Sequence, residues 1–278
     1  MRFAQHFLTS DKVKATHSWT LAKHNNASLS VDDIARLLAE LIMEHRCRGC
    51  PEYYRMWEQR LGGGAGLSSP ATEALSAFIK PVFGLPENPD SVPRSHMEGY
   101  VAEYLWYFLS SDGLAGGNIV RIEPPGFTAT DPGGDGLIIH RHTGANLMFR
   151  LWEIKKCTGS SRVSHTVGNA YRQLDAKATE YLARYTAIGQ EIADTTLSDF
   201  YGQLVDLWID AKPEAAAGVS VATSLALCPR RCFTTFGRKF PRFTTPVRLR
   251  GMLTAIGDFS EFVNKVREYI WTGLLPQN

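Results

Sequence analysis

No apolar run in this sequence is long enough to cross a bilayer. The longest, Ile34–Met43, is broken by Arg36 and Glu40, so no membrane span is expected. No charged-then-apolar leader follows Met1, and no secretory signal is read there. Cysteine is sparse and odd in number, five in 278 residues, which argues against a disulfide framework and for a reducing compartment. A cytoplasmic protein is the expectation. No excess of either charge stands out: 30 Lys and Arg face 28 Asp and Glu, for a net +2. That balance excludes a chain basic throughout, while a local basic patch remains compatible with it. The Gly-rich stretch Leu61–Pro70 lacks the Gly-Lys-Ser/Thr ending of a phosphate loop. The eight histidines form no HExxH pair and the serines no GxSxG elbow, so zinc-protease and serine-hydrolase chemistry have no anchor. Internal repeats are absent as well.

What is present is a change of pattern along the chain. Residues 1–90 read as a helical N-terminal region. Ser30 is a candidate N-cap before acids and then apolar residues at Ile34, Leu37, Leu38, Leu41 and Ile42. A break at 61–70, a short helix and a Pro-rich stretch at 84–95 lead into a main domain over 91–278. Its opening helix carries Met97, Val101, Tyr104, Leu105 and Phe108 on one face. Three strand candidates follow, around 116–124, 136–142 and 146–155, joined by Gly-rich turns suited to hairpins. A long helix, a second helix, another strand near 218–227, a basic loop and a closing helix complete it. The fold class is therefore mixed α/β, with one central mixed sheet flanked by helices.

Chemistry concentrates at the end of the third strand, "LWEIKK" (Leu151–Lys156). Alternation along a strand puts Glu153 and Lys155 on one face and sends Ile154 and Lys156 to the other. Asp135 opens the preceding strand, and a hairpin between the two makes the start of one the neighbour of the end of the next. Two carboxylates and a lysine thus converge. Carboxylates so placed repel each other, and a hard divalent cation offsets that repulsion while leaving positions for water and phosphate oxygens. The sequence has three acid-x-Lys matches, at 153–155, 175–177 and 210–212. Only the first ends an apolar strand beside another acid; the plainer reading is a solvated ion pair.

Asp135 followed by Glu153-Ile154-Lys155 resembles the motif of the PD-(D/E)XK phosphodiesterases, the restriction-endonuclease-like nucleases. The order of a helix, a β-meander with the motif and a further helix resembles them too, over roughly residues 94–226. Gly134 stands where that motif has proline. The resemblance implies a restriction-endonuclease-like core and metal-dependent hydrolysis of phosphodiester bonds. Its cofactor would be Mg²⁺ or Mn²⁺ held by Asp135 and Glu153, with Lys155 placing the attacking water. Family members often add a carboxylate from the first helix. Glu98 and Glu103 compete for that role, and Glu98 is preferred as a further metal ligand because it shares a face with Val101 and Leu105. Gln173 resembles a helix glutamine that assists the catalytic water or lysine, whereas Lys177 replaces the tyrosine of the RecB-like branch.

Nucleic acid is the partner implied, DNA before RNA. Arg162, Arg172 and Lys177 suit phosphate contacts. Residues 229–251 hold seven Lys or Arg and no acid, with Phe interleaved; there Arg230, Arg231, Arg238, Lys239 and Arg242 can track a backbone while rings stack or bury. Analogy of fold extends this to a restriction or phage-defence effector working with a protein partner in a defence or repair complex. The alternative is a catalytically inactive nucleic-acid-binding or scaffold protein. Cys47, Cys50, Cys228 and Cys232 offer two short spacings that a structural zinc could join, against the plainer reading of reduced, packed thiols.

Overall fold

Strands that are buried on both faces lose the alternation of polar and apolar residues, and Ala215–Thr223 is such a case, buried at every position. It lies near the middle of a seven-stranded mixed sheet curled into a half-barrel. The computed structural model describes residues 2–128, 135–141, 146–159, 162–229 and 231–275. In chain order the elements are β1 (Phe7–Val13), β2 (Ser18–His24), α1 (Val31–Arg46), α2 (Pro51–Leu61), α3 (Ser69–Phe83), α4 (Arg94–Ser111), β3 (Asn118–Ile122), β4 (Gly136–Arg141), β5 (Leu147–Cys157), α5 (Val163–Gly189), α6 (Thr195–Gly202), α7 (Leu204–Ile209), β6 (Ala215–Thr223), α8 (Phe236–Lys239), β7 (Leu249–Ala255) and α9 (Phe259–Thr272).

The sheet order is β1-β2-β7-β6-β5-β4-β3. Strands β2, β7, β6 and β5 run parallel, and antiparallel neighbours close both sides: β1 on β2, then β4 and β3 beyond β5. One face packs against α1, α2, α3, α4 and α9 through Trp152, Ile154, Ala222 and Met252. The other packs against α5, α6, α7 and the 233–243 segment through Phe149, Leu151, Val219 and Val221. Close packing explains two glycines. A Cβ on Gly136 would lie 2.2 Å from the Trp106 ring, and one on Gly218 2.3 Å from Trp152. Those two indoles pack on each other, with centroids 5.7 Å apart.

Local signals produced most elements where the sequence placed them. Ser30 accepts from the Asp33 backbone N–H and Asp33 reaches back to the Ser30 N–H, a capping box that starts α1. The meander, α4 and α5 also stand where expected. Residues 1–90 are not solely helical, however. Residues 7–24 supply β1 and β2, and α1 shares a core with α9, so the N-terminal region is built into the same sheet and core as the rest. The second helix after the meander is split into α6 and α7 at Gln203. Residues 229–251, read as a basic loop, contain α8 and run into β7.

Among the described residues no helix is long and apolar enough to cross a membrane.

Candidate active site

The β4–β5 hairpin sets Gly136 opposite Trp152, which leaves Asp135, one residue earlier, beside Glu153. The Asp135 Oδ2 accepts a 2.7 Å hydrogen bond from the Ile154 N–H and lies 3.7 Å from Lys155 Nζ. Lys155 Nζ is 2.6 Å from Glu153 Oε1. The Lys155 ammonium thus serves Glu153 Oε1, while Glu153 Oε2 is buried with no hydrogen-bond partner among the described residues. Glu153 is fully buried, while the Asp135 and Lys155 side chains keep 18% and 30% of their exposure. The cluster thus has a closed floor and an open mouth, toward the carboxyl ends of the parallel strands, where open sheets of this kind bind ligands.

Burial, followed by the neighbouring Asp135 charge, raises the Glu153 carboxyl to about 8. Burial also raises Asp135, against the pull of Lys155 and the Ile154 N–H. For Lys155 burial opposes the charged form, but the Asp135 and Glu153 carboxylates outweigh it and hold the ammonium above its usual value. With its carboxyl raised to about 8, Glu153 is largely protonated at neutral pH, which relieves the charge that two carboxylates would place beside one lysine.

The other sequence-derived residues divide between this cluster and elsewhere. Gln173 on α5 donates to the Tyr181 hydroxyl at 3.1 Å. Tyr181 lies within the fields of Glu153, Asp135 and Lys155. Gln173 therefore reaches the cluster through a tyrosine that the sequence reading passed over. The available signal was helical: residues i and i+8 share a face, and Tyr181 is eight positions beyond Gln173.

Glu98 does not join the cluster. Glu153 and Lys155 face α5, whereas Glu98 lies buried on the opposite face of the sheet. There it pairs with the Lys156 ammonium and accepts from Ser260 Oγ at 2.7 Å, with Arg94 3.4 Å away. Its expected role as a metal ligand is thus replaced by an ion pair that ties α4 to β5 and α9. The amphipathic reasoning was right that Glu98 faces the sheet; it could not tell which face of β5 awaited it. Glu98→Gln is expected to cost about 1–3 kcal/mol of stability, by leaving Lys156 without its counter-charge, and to leave the Asp135 cluster intact. Urea denaturation measures the first effect, and Mg²⁺-dependent cleavage by the folded variant the second.

Another acid missed by the sequence reading, Glu123, follows β3 and is buried close by. Its carboxylate is committed to Arg121 at 2.5 Å and to the Tyr201 hydroxyl. Among the described residues no group of three or more His, Cys, Asp or Glu is arranged to hold a metal. Among the described residues, Asp135 and Glu153 are the two carboxylates that meet here.

Arg162, Arg172, Lys177, Arg231, Arg238 and Lys239 are exposed, and Arg230 lies outside the described residues. Tyr171 on α5 meets Phe240 edge-on, with centroids 4.3 Å apart, and Lys239 sits over the Tyr171 ring. The first half of α5 and the basic segment therefore form one continuous surface. Two partners of this surface are engaged internally: Arg172 donates to Asn169, and Lys177 pairs with Glu180 at 3.0 Å. Arg242 departs from its expected role. Its guanidinium donates to the Trp208 and Ile209 carbonyls at 2.6 Å, capping the end of α7. The phenylalanines of the segment, Phe233, Phe236, Phe240 and Phe243, are buried in the core and do not offer stacking faces. The thiols also separate: Cys47 belongs to one core and Cys232 to the other, on opposite sides of the sheet. Burial pushes Cys47 up to about 11 and Cys232 up to about 12.

No protein-family model matches this chain, and no curated protein matches it either.

Proposed function

We propose that the chain is a divalent-metal-dependent nuclease hydrolysing phosphodiester bonds of nucleic acid, with DNA the favoured substrate. The observation that carries this reading is the convergence of Asp135, Glu153 and Lys155, with the buried Glu153 Oε2 lacking a donor among the described residues. Such oxygens cost free energy unless a cation or donor satisfies them. An all-oxygen pair of carboxylates, with water and substrate completing the shell, is the donor set Mg²⁺ prefers. Asp135 and Glu153 would hold the ion. When bound, it lowers the pKa of water and neutralises charge on the phosphodiester.

The remaining work falls to the chain's own groups. Lys155 is held charged by its neighbours, so at neutral pH it acts as a donor, orienting the attacking water or binding a phosphate oxygen. The Ile154 N–H fixes the Asp135 carboxylate through its 2.7 Å bond. Gln173 orients the Tyr181 hydroxyl at the rim of the cluster. Exposed Arg162, Arg231, Arg238 and Lys239 give the surface a positive potential that attracts a phosphate backbone without reading bases. Restriction or phage defence with a protein partner extends this proposal by analogy of fold alone.

The test is to incubate the purified protein with plasmid, single-stranded DNA and RNA in Mg²⁺, in Mn²⁺ and in EDTA. Cleavage in either metal that stops in EDTA is the expected result. Cleavage that persists in EDTA overturns the metal assignment. Binding without cleavage on all substrates favours a non-catalytic nucleic-acid-binding protein of the same fold.

A further inference from the structure

At the opposite end and on the opposite face of the sheet from Asp135 and Glu153, three arginines surround a cavity of about 360 Å³. Its lining includes Arg141, Arg150, Arg250 and His140, with Gly116 and Gly117 on one side and Asp11 as the single carboxylate among the described residues. Arg150 is 4% exposed, yet among the described residues none of its hydrogen bonds is to a carboxylate. It donates to the Ala115 carbonyl at 3.2 Å, to the Val247 carbonyl at 2.6 Å and to His140 Nε2 at 3.1 Å. Arg250 donates to Thr20 Oγ1 at 2.9 Å and to the Leu114 carbonyl, while Asp11 stands 3.6 Å off and is itself exposed.

Three donors around this cavity are buried with no partner among the described residues: Arg150 Nε, Arg250 Nε and His140 Nδ1. The histidine tautomer follows from its neighbour. A guanidinium can only donate, so His140 Nε2 accepts from Arg150 and Nδ1 carries the hydrogen. Burial, with Arg150 and Arg250 beside it, lowers His140 to about 2, so the ring is neutral at ordinary pH. Arg150, lowered by burial and by Arg250 to about 9, keeps its charge at neutrality.

The backbone has also made room here. Gly116 and Gly117 have φ of +72° and +81°. A Cβ on Gly116 would lie 2.7 Å from Arg250 Nη1, and one on Gly117 2.9 Å from His140 Nδ1. Side chains at these positions would press on the groups that surround the cavity. Among the described residues of the lining, three guanidiniums against one carboxylate leave two positive charges without counter-charge.

We propose that this cavity binds a dianionic phosphate group, free or as the terminal phosphate of a small molecule, between Arg150 and Arg250 with His140 as a neutral donor. Paired guanidiniums match the oxygens of such a group through parallel N–H bonds. Two negative charges complete the charge balance, which a simple carboxylate would leave half satisfied. The volume is at the lower end for small-molecule pockets, which suits a phosphate with a few attached heavy atoms.

Isothermal titration calorimetry on the intact chain at low ionic strength and pH 7.5 tests this, with inorganic phosphate, ribose 5-phosphate and acetate as probes. Saturable binding of phosphate or ribose 5-phosphate, at least tenfold tighter than acetate, is expected; the tighter of the two identifies a free ion or a monoester. Arg250→Lys should weaken that binding tenfold or more. Arg141→Gln, at an exposed position where folding is not at stake, should weaken it severalfold. The absence of saturable heat with both phosphates, acetate binding as tightly as phosphate, or unchanged affinity in both folded variants would each overturn the proposal. Under any of these outcomes, Arg150 is a structural cation satisfied by carbonyls alone.

Discussion

Glu153→Gln removes metal-dependent cleavage, by a factor on the order of 10²–10⁴, while the protein remains folded. Glutamine keeps the size and one carbonyl oxygen of the side chain, so the Asp135–Ile154 bond and the packing against α5 survive. What it loses is the second carboxylate, and with it the means of holding a hard cation on two oxygens. Lys155→Met is expected to reach a comparable loss by a different route, since it keeps the stem and deletes the donor. The two variants separate in their metal response. Raising Mg²⁺ should partly restore Glu153→Gln, whose fault is affinity, and should do nothing for Lys155→Met. Initial rates over a Mg²⁺ titration, with circular dichroism to verify folding, distinguish them. Cleavage at the parental rate in either variant removes that residue from the proposed chemistry.

A second large effect is in stability. Burial lowers His45 to about 4 and His140 to about 2, with charged arginines as the next cause in both. His17 and His24 are lowered too, again chiefly by burial. The unfolded chain takes up protons at these rings near pH 6.5, whereas the folded chain refuses them. The unfolded state therefore binds more protons, and stability falls as pH falls below 6.5. Each fully depressed histidine costs about 1.4 kcal/mol per pH unit while only the unfolded state titrates. From pH 6.5 to 4.5, His45 and His140 together cost roughly 5 kcal/mol on that basis. The Glu153 carboxyl, raised to about 8, has the opposite sign, because the folded state takes its proton first. Asp135, also raised, shares that sign, and the two carboxyls offset part of the loss that His45 and His140, with His17 and His24, impose over this window. The urea midpoint should fall steadily from pH 6.5 to 4.5, and His140→Gln should flatten the slope. A midpoint that holds or rises over that range contradicts the assignment.

These expectations also show where the sequence was legible. Period-two alternation and a hairpin were enough to bring Asp135, Glu153 and Lys155 together, because strand geometry fixes faces within a few residues. They were enough to send Lys156 to the other side as well. Glu98 lay beyond their reach: a helix period tells which residues face the sheet, but which face of the sheet the helix covers depends on the whole topology. Strands β1, β2 and β7 escaped for a related reason. β1 is an edge strand with most positions exposed, including Leu8 and Val13, so its sequence carries little alternation. β7 has Arg250 and Gly251 in its first turn of pairing, and only the neighbours on both sides make sense of them. The interleaved phenylalanines illustrate the same limit, since periodicity does not say whether a ring in a basic segment faces solvent or core. Tyr181 is the counter-example, legible from its helical spacing once Gln173 had been noticed.

The ladder between β2 and β7 pairs Ser18–Lys23 with Arg250–Ala255. During synthesis the β1–β2 hairpin therefore emerges long before the strand that receives it. Until β7 leaves the ribosome, the hairpin has no parallel partner, and the face of α1 that packs on α9 has no cover. Pairing β2 with β7 is a long-range closure, of the kind that slows folding and exposes unpaired strand edges in the meantime. Nascent chains stalled before residue 249 should thus resist proteolysis poorly at both the hairpin and α1, and release of the final strand and helix should protect the two together.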